Sequence, residues 1–168
     1  MKRSGLTLIE LLISISILSI MMVFLYKSYA SLNKSNSNFK QEVEVLESLK
    51  QKKKILFLDF SVSKFASVAI QRLDRQNDIV LLKSSNSVHK RFNPYLAYII
   101  SNKILYRIES LKPIVYPLDV SSEFDVDEFG EVTRFKVFES KSKDSYIVDV
   151  KFKNSQKILL KIKALNER

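Results

Sequence analysis

The sequence predicts an α+β protein in which one long N-terminal helix packs on an antiparallel β-sheet domain. An uninterrupted apolar run near the start predicts the helix, and short β-type runs separated by polar turns predict the sheet. The 168 residues are enough for one folded domain with an appendage. We divide the chain into a leader of residues 1–5, an apolar helical segment of residues 6–29, a helical continuation over 30–66 and a β-rich domain over 67–168.

The first part of the helix is predicted by an apolar run over residues 6–25, interrupted only by Thr7, Glu10 and three serines. About 20 apolar residues in a helix cross the hydrocarbon core of a bilayer. The serines are tolerated there because each hydroxyl can donate to a carbonyl one turn earlier. Lys2 and Arg3 precede the run, so the excess of positive charge predicts a cytoplasmic N-terminus, with the remainder outside the cytoplasm.

A secretory signal peptide is the competing interpretation of this segment. The bulky residues 22–26 argue against it, because no pair of small residues follows the apolar run as a cleavage site. Glu10 is the informative exception, because a carboxylate within an apolar span is costly and indicates function. Its positive partner would be a free amine made by cutting after Gly5, one of only two glycines in the chain.

The helix is predicted to continue well beyond the apolar run. Residues 6–76 contain no Pro and no Gly, so nothing forces a break. Residues 55–60 fit either a strand or the buried end of the helix, and the helical spacing of Leu56 and Phe60 favours the helix.

The β domain is predicted from runs rich in β-branched and aromatic residues. The predicted strands are residues 68–73, 78–83, 95–100, 104–108, 132–139, 146–153 and 157–165. Residues 74–77 and 101–103 are predicted as turns, the second in a tight hairpin. Residues 114–120 contain Pro117 and follow Pro113, so they are predicted to be an edge strand or irregular.

The composition argues against most enzyme classes. Without cysteine there is no disulfide, no thiolate metal site and no cysteine nucleophile. Two glycines are too few for a phosphate-binding loop, and His89 is the only histidine. His89 precedes Lys90 and Arg91 in a polar segment and is predicted to lie at the surface. We therefore expect a non-enzymatic protein without a cofactor.

Asp125 and Asp127 are the only metal candidates, in a segment similar to the start of a calcium loop. The calcium-loop pattern fails at Phe129 and at Lys136, where a polar ligand and an acid are needed. The alternative is an acidic turn in which Gly130 supplies a positive φ.

The net charge of +10 and the lysines at 52–54 make binding to nucleic acid one interpretation of the sequence. Such a run would contact phosphates without reading sequence. The alternative, which we favour, is a face exposed to solvent or to lipid headgroups, because no aromatic residues interleave with the basic ones.

Residues 2–12 read Lys-Arg-Ser-Gly-Leu-Thr-Leu-Ile-Glu-Leu-Leu and resemble the processing site of type IV prepilins and type II secretion pseudopilins. That family has a short basic leader ending in Gly, then a hydrophobic residue and Thr-Leu-Ile-Glu before an apolar helix. The resemblance implies cleavage between Gly5 and Leu6, N-methylation of Leu6, and pairing of Glu10 with the N-terminal amine of a neighbouring subunit. Many members have Phe where this chain has Leu6. Recognition by prepilin peptidase is implied at Lys2, Arg3, Gly5 and Thr7.

The resemblance also implies a pilin fold and a position among the minor subunits. Residues 98–108 resemble the hairpin of minor pseudopilins of the J type and of W-type minor pilins, which also have an Asp shortly after the long helix, here Asp59. The implied protein spans the bacterial inner membrane once, with its β domain in the periplasm. The implied function is to prime or cap a short pseudopilus for type II protein secretion, together with other pilins. The alternative is a minor pilin of a type IV pilus or competence machine, with DNA or a secreted substrate as a direct ligand.

Overall fold

The computed structural model of the protein describes residues 7–64, 67–118, 123–142 and 144–165. The described residues form one long helix followed by antiparallel strands, which confirms the α+β class. Helix α1 is Leu8–Ser61. The strands are β1 Ala69–Arg72, β2 Asp78–Lys83, β3 Tyr95–Ser101, β4 Ile104–Ser110, β5 Asp125–Glu139, β6 Ser145–Phe152 and β7 Lys157–Lys163.

The described chain divides into two compact units, the first ending at Leu49 and the second beginning at Lys50. The last turns of α1 therefore belong to the same unit as the strands. Residues 55–60 are helical, as the spacing of their apolar side chains predicts. The helix ends at Ser61 rather than at residue 66, because Ser63 leaves the helical path and bridges Ser84 beside β2.

Each strand pairs with the next one along the chain, so the sheet order is β1 to β7 without a crossover. Strand β5 is long because its first half pairs with β4 and its second half with β6. The predicted acidic turn in this region is wrong, since Asp125 already begins the strand. Gly130 does have a positive φ of 105°, but in a bulge beside Phe129, where the register between β4 and β5 shifts.

The sheet buries side chains on both of its faces. On one face Phe60 from the end of α1 packs against Tyr98 and Tyr146, with ring centroids 6.2 and 5.6 Å away. The other face buries a cluster that the connection between β4 and β5 covers with Ile114 and Leu118. Residues 114–118 form no strand, in agreement with the irregular alternative predicted for them; residues 119 and 120 lie outside the described residues.

The sheet also curls, so that the turn between β1 and β2 meets the second half of β5. Asn77 forms a parallel bridge with Phe135, and the backbone N–H of Phe135 donates to the carbonyl of Gln76 at 3.1 Å. This contact joins parts of the sheet that are far apart in strand order.

Candidate functional site

The start of α1 is closed by a reciprocal set of hydrogen bonds between Thr7 and Glu10. The backbone N–H and the hydroxyl of Thr7 donate to Oε2 of Glu10 at 2.8 and 2.9 Å. The backbone N–H of Glu10 donates to Oγ1 of Thr7 at 3.4 Å. This is a capping box, which satisfies backbone donors that a helix start leaves unpaired. The Glu10 side chain is exposed, and no cation of the described residues forms an ion pair with it.

The apolar segment that follows has the length and composition needed to cross a membrane. Glu10 is the only charged side chain between Leu8 and Tyr26. The three serines of the segment each donate to a carbonyl four residues earlier at 2.8 Å, as predicted. Their hydroxyls are thereby satisfied within the helix, whereas the Glu10 carboxylate accepts from Thr7 and from no other described residue.

A second group of polar side chains lies buried at the other end of α1. Asp59 is in the last turns of the helix and is fully buried. The Tyr98 hydroxyl donates to it at 2.5 Å and the Asn86 amide at 2.6 Å. Arg107 donates through Nε at 2.8 Å and through Nη2 at 3.3 Å, a two-point contact that fixes the orientation of both groups.

Arg107 is also fully buried and continues the cluster into strand β4. Its Nη1 donates to Glu109 at 2.8 Å and to Asp127 at 3.1 Å. Glu109 in turn accepts hydrogen bonds from the Ser87 hydroxyl and, at 3.1 Å, from the backbone N–H of Val88. One guanidinium therefore contacts three carboxylates.

The loop over residues 84–94 packs against this cluster and supplies much of its outer side. His89 Nε2 lies 2.9 Å from Oδ1 of Asp127, and Arg91 Nε donates to Asp125 at 2.7 Å. The two metal candidates, Asp125 and Asp127, thus both contact cationic or imidazole groups. No group of three or more His, Cys, Asp or Glu in the described part of the chain is arranged to hold a metal ion.

The ionisation of the cluster follows from burial and from these contacts. Burial raises the pKa of Asp59 above its usual value, against the hydrogen bonds from Arg107, Tyr98 and Asn86. Burial also raises the pKa of Tyr98 well above 10.0, and the nearby Asp59 charge adds to the effect. Burial lowers the pKa of Arg107, whereas the Asp59 carboxylate raises it. The net result is a raised pKa, so the guanidinium is always charged.

The pKa of Glu109 shifts in the opposite direction from the pKa of Asp59. Burial would raise its pKa, but the hydrogen bonds from Ser87 and Arg107 outweigh burial, and the pKa of Glu109 is lowered. A permanently charged arginine beside an acid of lowered pKa is an arrangement for holding charge rather than for moving protons. The cluster therefore joins the end of α1, the loop and strands β3, β4 and β5 through hydrogen bonds.

Sequence reasoning singled out Asp59, Tyr98 and Arg107 only through the family resemblance, and it missed Glu109 and Asn86. A usable signal was present, because Arg107 and Glu109 are two positions apart in a strand and so share one face. Among the residues predicted for processing, Thr7 caps the helix. The others, Lys2, Arg3, Gly5 and Leu6, lie outside the described residues.

Residues 1–26 match the family model of the prokaryotic N-terminal methylation motif. The match supports membership of the type IV pilin and pseudopilin family, and this motif implies processing by prepilin peptidase and assembly with other pilins. The apolar helix that overlaps the match is consistent with anchoring in a membrane. No curated protein matches the chain.

Proposed function

We propose that the protein is a minor subunit of a pilus-like filament, assembled after prepilin peptidase cuts between Gly5 and Leu6 and Leu6 is methylated. The role is assembly rather than catalysis. The observation that carries the proposal is the overlap of the methylation motif at residues 1–26 with the apolar first part of α1, in which Glu10 is the single charged side chain as far as Tyr26. The chain would lie in the bacterial inner membrane with its β unit in the periplasm.

Within this proposal the subunit primes or caps a short pseudopilus for type II secretion. A contact within the β unit supports a J-type or W-type minor subunit. Tyr98 and Arg107 of the hairpin meet Asp59 in one buried cluster. A type IV pilus or competence machine is the alternative setting, and the same processing and assembly steps would apply there.

Glu10 would pair with the N-terminal amine of an adjacent subunit. Among the described residues, Thr7 is the one donor to its carboxylate, through its backbone N–H and its hydroxyl. Transfer of an exposed carboxylate into a bundle of apolar helices is unfavourable unless a cation accompanies it. The pair is therefore formed only when two subunits meet, which makes assembly depend on both charges.

The test separates the charge of Glu10 from its capping function. Glu10→Gln keeps the capping box, because glutamine also occupies this position of the motif, but it removes the charge. We expect Glu10→Gln and Glu10→Ala to insert into the membrane and to be cleaved normally, and to be absent from purified filaments. Membrane fractionation, the gel shift on cleavage and immunodetection in sheared filaments measure the three steps.

Ser14→Ala is the matched control, because it removes a polar group from the same segment one turn later. It should enter filaments at the normal level. Normal incorporation of Glu10→Gln would show that the charge is not needed and would overturn the amine-pairing mechanism. Failure of cleavage in the unaltered chain would overturn the processing step itself.

A further inference from the structure

A groove of about 700 Å³ lies between the turn that joins β1 to β2 and the second half of β5. We call it the arginine groove, because Arg72, Arg75 and Arg134 line it. Its remaining lining includes the apolar side chains of Ile70 and Phe138. The volume is within the range of about 300–1,000 Å³ that is usual for ligand sites.

Contacts between the turn and β5 hold the groove in shape. The Asp78 carboxylate accepts from Nζ of Lys136 at 2.8 Å and from the backbone N–H of Val137 at 3.1 Å. Nζ of Lys136 also donates to the carbonyl of Asp74 at 3.0 Å. A ligand would therefore meet a groove whose walls are already fixed, which lowers the ordering cost of binding.

The cations that line the groove, Arg72, Arg75, Arg134 and Lys136, outnumber its three acids. Arg72 and Arg75 form no ion pair with any residue that the structure describes. Arg134 is 42% exposed and has one long contact, 3.4 Å from Nε to Asp149.

Two of the acids that line the groove already have donors within the chain. Asp78 is buried and bound to Lys136, and Asp74 accepts from Gln76 and Asn77 within the turn. Glu139 is the third acid of the lining, so Arg72 and Arg75 share the groove with acids but form no ion pair with any described residue.

The outer face of the neighbouring strands extends this surface. Phe138 is directly opposite Ile147 in the β5–β6 register, and both side chains are exposed. Lysines 151, 157 and 161 lie on the same face by the alternation of β6 and β7. Asp149 lies on this face as well and contacts Lys157 at 3.4 Å, so the rim is polar with cations in excess. An apolar centre with a polar rim is typical of a protein-binding surface.

From these contacts we propose that the arginine groove binds an acidic, partly apolar peptide segment of another protein. Guanidinium groups fit carboxylates at two points, and the apolar lining fits the intervening side chains. A second copy of this chain is disfavoured, because its net charge stays strongly positive even without Lys2 and Arg3 and two copies would repel. Nucleic acid is disfavoured, because Phe138 is the one aromatic residue in the described lining, too few for stacking successive bases. The inference does not depend on filament assembly.

The experiment uses the full chain in a neutral detergent and a labelled peptide that alternates Glu and Leu. Fluorescence anisotropy at low and at physiological ionic strength measures binding. We expect the peptide to bind, with weaker binding at higher salt, and the double variant Arg72→Glu with Arg75→Glu to lose about tenfold or more in affinity. The double variant with Gln at both positions should lose less, and it replaces the charge reversal if that variant does not fold.

The matched control reverses two exposed lysines elsewhere, Lys64→Glu with Lys112→Glu, so that the net charge changes equally. This control should retain nearly full affinity at physiological ionic strength. Equal losses in both double variants, or no peptide binding, would overturn the proposal. Tighter binding of a single-stranded oligonucleotide than of the peptide, lost with Arg72 and Arg75, would also overturn it and would assign the groove to phosphates instead.

Discussion

Two carboxylates of helix α1, one near each end, have opposite surroundings. Glu10, near its start, is exposed and, within the part of the chain that the structure describes, accepts hydrogen bonds from Thr7 alone. Asp59, in its last turns, is fully buried and accepts from Tyr98, Asn86 and Arg107. The chain supplies a cation to Asp59, but among the described residues it supplies none to Glu10. The charge of Asp59 is therefore used to build this molecule, whereas the charge of Glu10 is available to another one.

The Asp59 cluster also shows what a buried ion pair contributes. Removing two charges from water is costly, so such a pair adds little net stability compared with apolar residues of the same size. Its geometry, however, specifies one arrangement, because Tyr98 and Arg107 are direct partners in the β3–β4 register. Only that register brings both side chains to the same carboxylate.

The largest effect is expected from Arg107→Met. It leaves Asp59 and Glu109 buried without their shared cation, and breaking a buried pair on one side costs about 3–5 kcal/mol. Urea unfolding of the full chain in neutral detergent, followed by tyrosine fluorescence, measures the free energy of unfolding, since the chain has no tryptophan.

Arg91→Met is the control for this variant. Its contact with Asp125 is partly exposed, so its loss should change stability little. Similar losses in the free energy of unfolding from the two variants would mean that burial does not make the Arg107 ion pair more important than an exposed one. Asp59 would then not differ from Glu10 in what its surroundings contribute.

Tyr98→Phe should have a smaller effect in the same assay. It removes the hydroxyl that donates to Asp59 at 2.5 Å but keeps the ring that packs against Phe60. A hydrogen bond to a charged group contributes about 1.5–3 kcal/mol, so the loss should be of that order. In an Asp59→Asn background the same change should be less destabilising. Equal losses in both backgrounds would show that Tyr98 acts through packing and not through Asp59.

Much of this arrangement could be predicted from local sequence. The run of residues 95–108 with Ser-Asn-Lys at its centre predicts a tight hairpin, and Asn102 and Lys103 do adopt positive φ values of 50° and 66°. That turn fixes the register and so makes Tyr98 and Arg107 partners. The helix start also has a local sequence signal, because Thr7 and Glu10 have the spacing of a capping box.

The remainder depends on contacts between distant parts of the chain. Arg107 and Asp59 are 48 positions apart, and no local pattern says that a helix end will cover this strand. The early start of β5 depends on a bulge at Phe129, where the sequence alone indicated a turn. The arginine groove depends on the curl of the sheet, which brings the β1–β2 turn to β5.

A third carboxylate, Asp144 between β5 and β6, sharpens the comparison because it combines features of the other two. It is accessible to solvent, like Glu10, but it has several donors from its own chain, like Asp59. The hydroxyls of Ser142, Ser140 and Ser145 donate to it and lower its pKa from 3.8 to about 2. Partners within the chain, rather than burial, thus determine the state of this acid.

Ser142→Ala should therefore raise the pKa of Asp144 towards 3.8, because it removes the donor with the largest effect. Because the folded pKa is the lower one, Asp144 stabilises the fold above pH 3.8, and this contribution is lost as the pH falls towards 2. The variant should show a smaller loss over that window. An NMR titration of the carboxyl carbon measures the pKa directly, with Ser101→Ala in the other hairpin as control. An unchanged pKa of Asp144 in Ser142→Ala would contradict the assignment of the largest effect to the Ser142 hydroxyl.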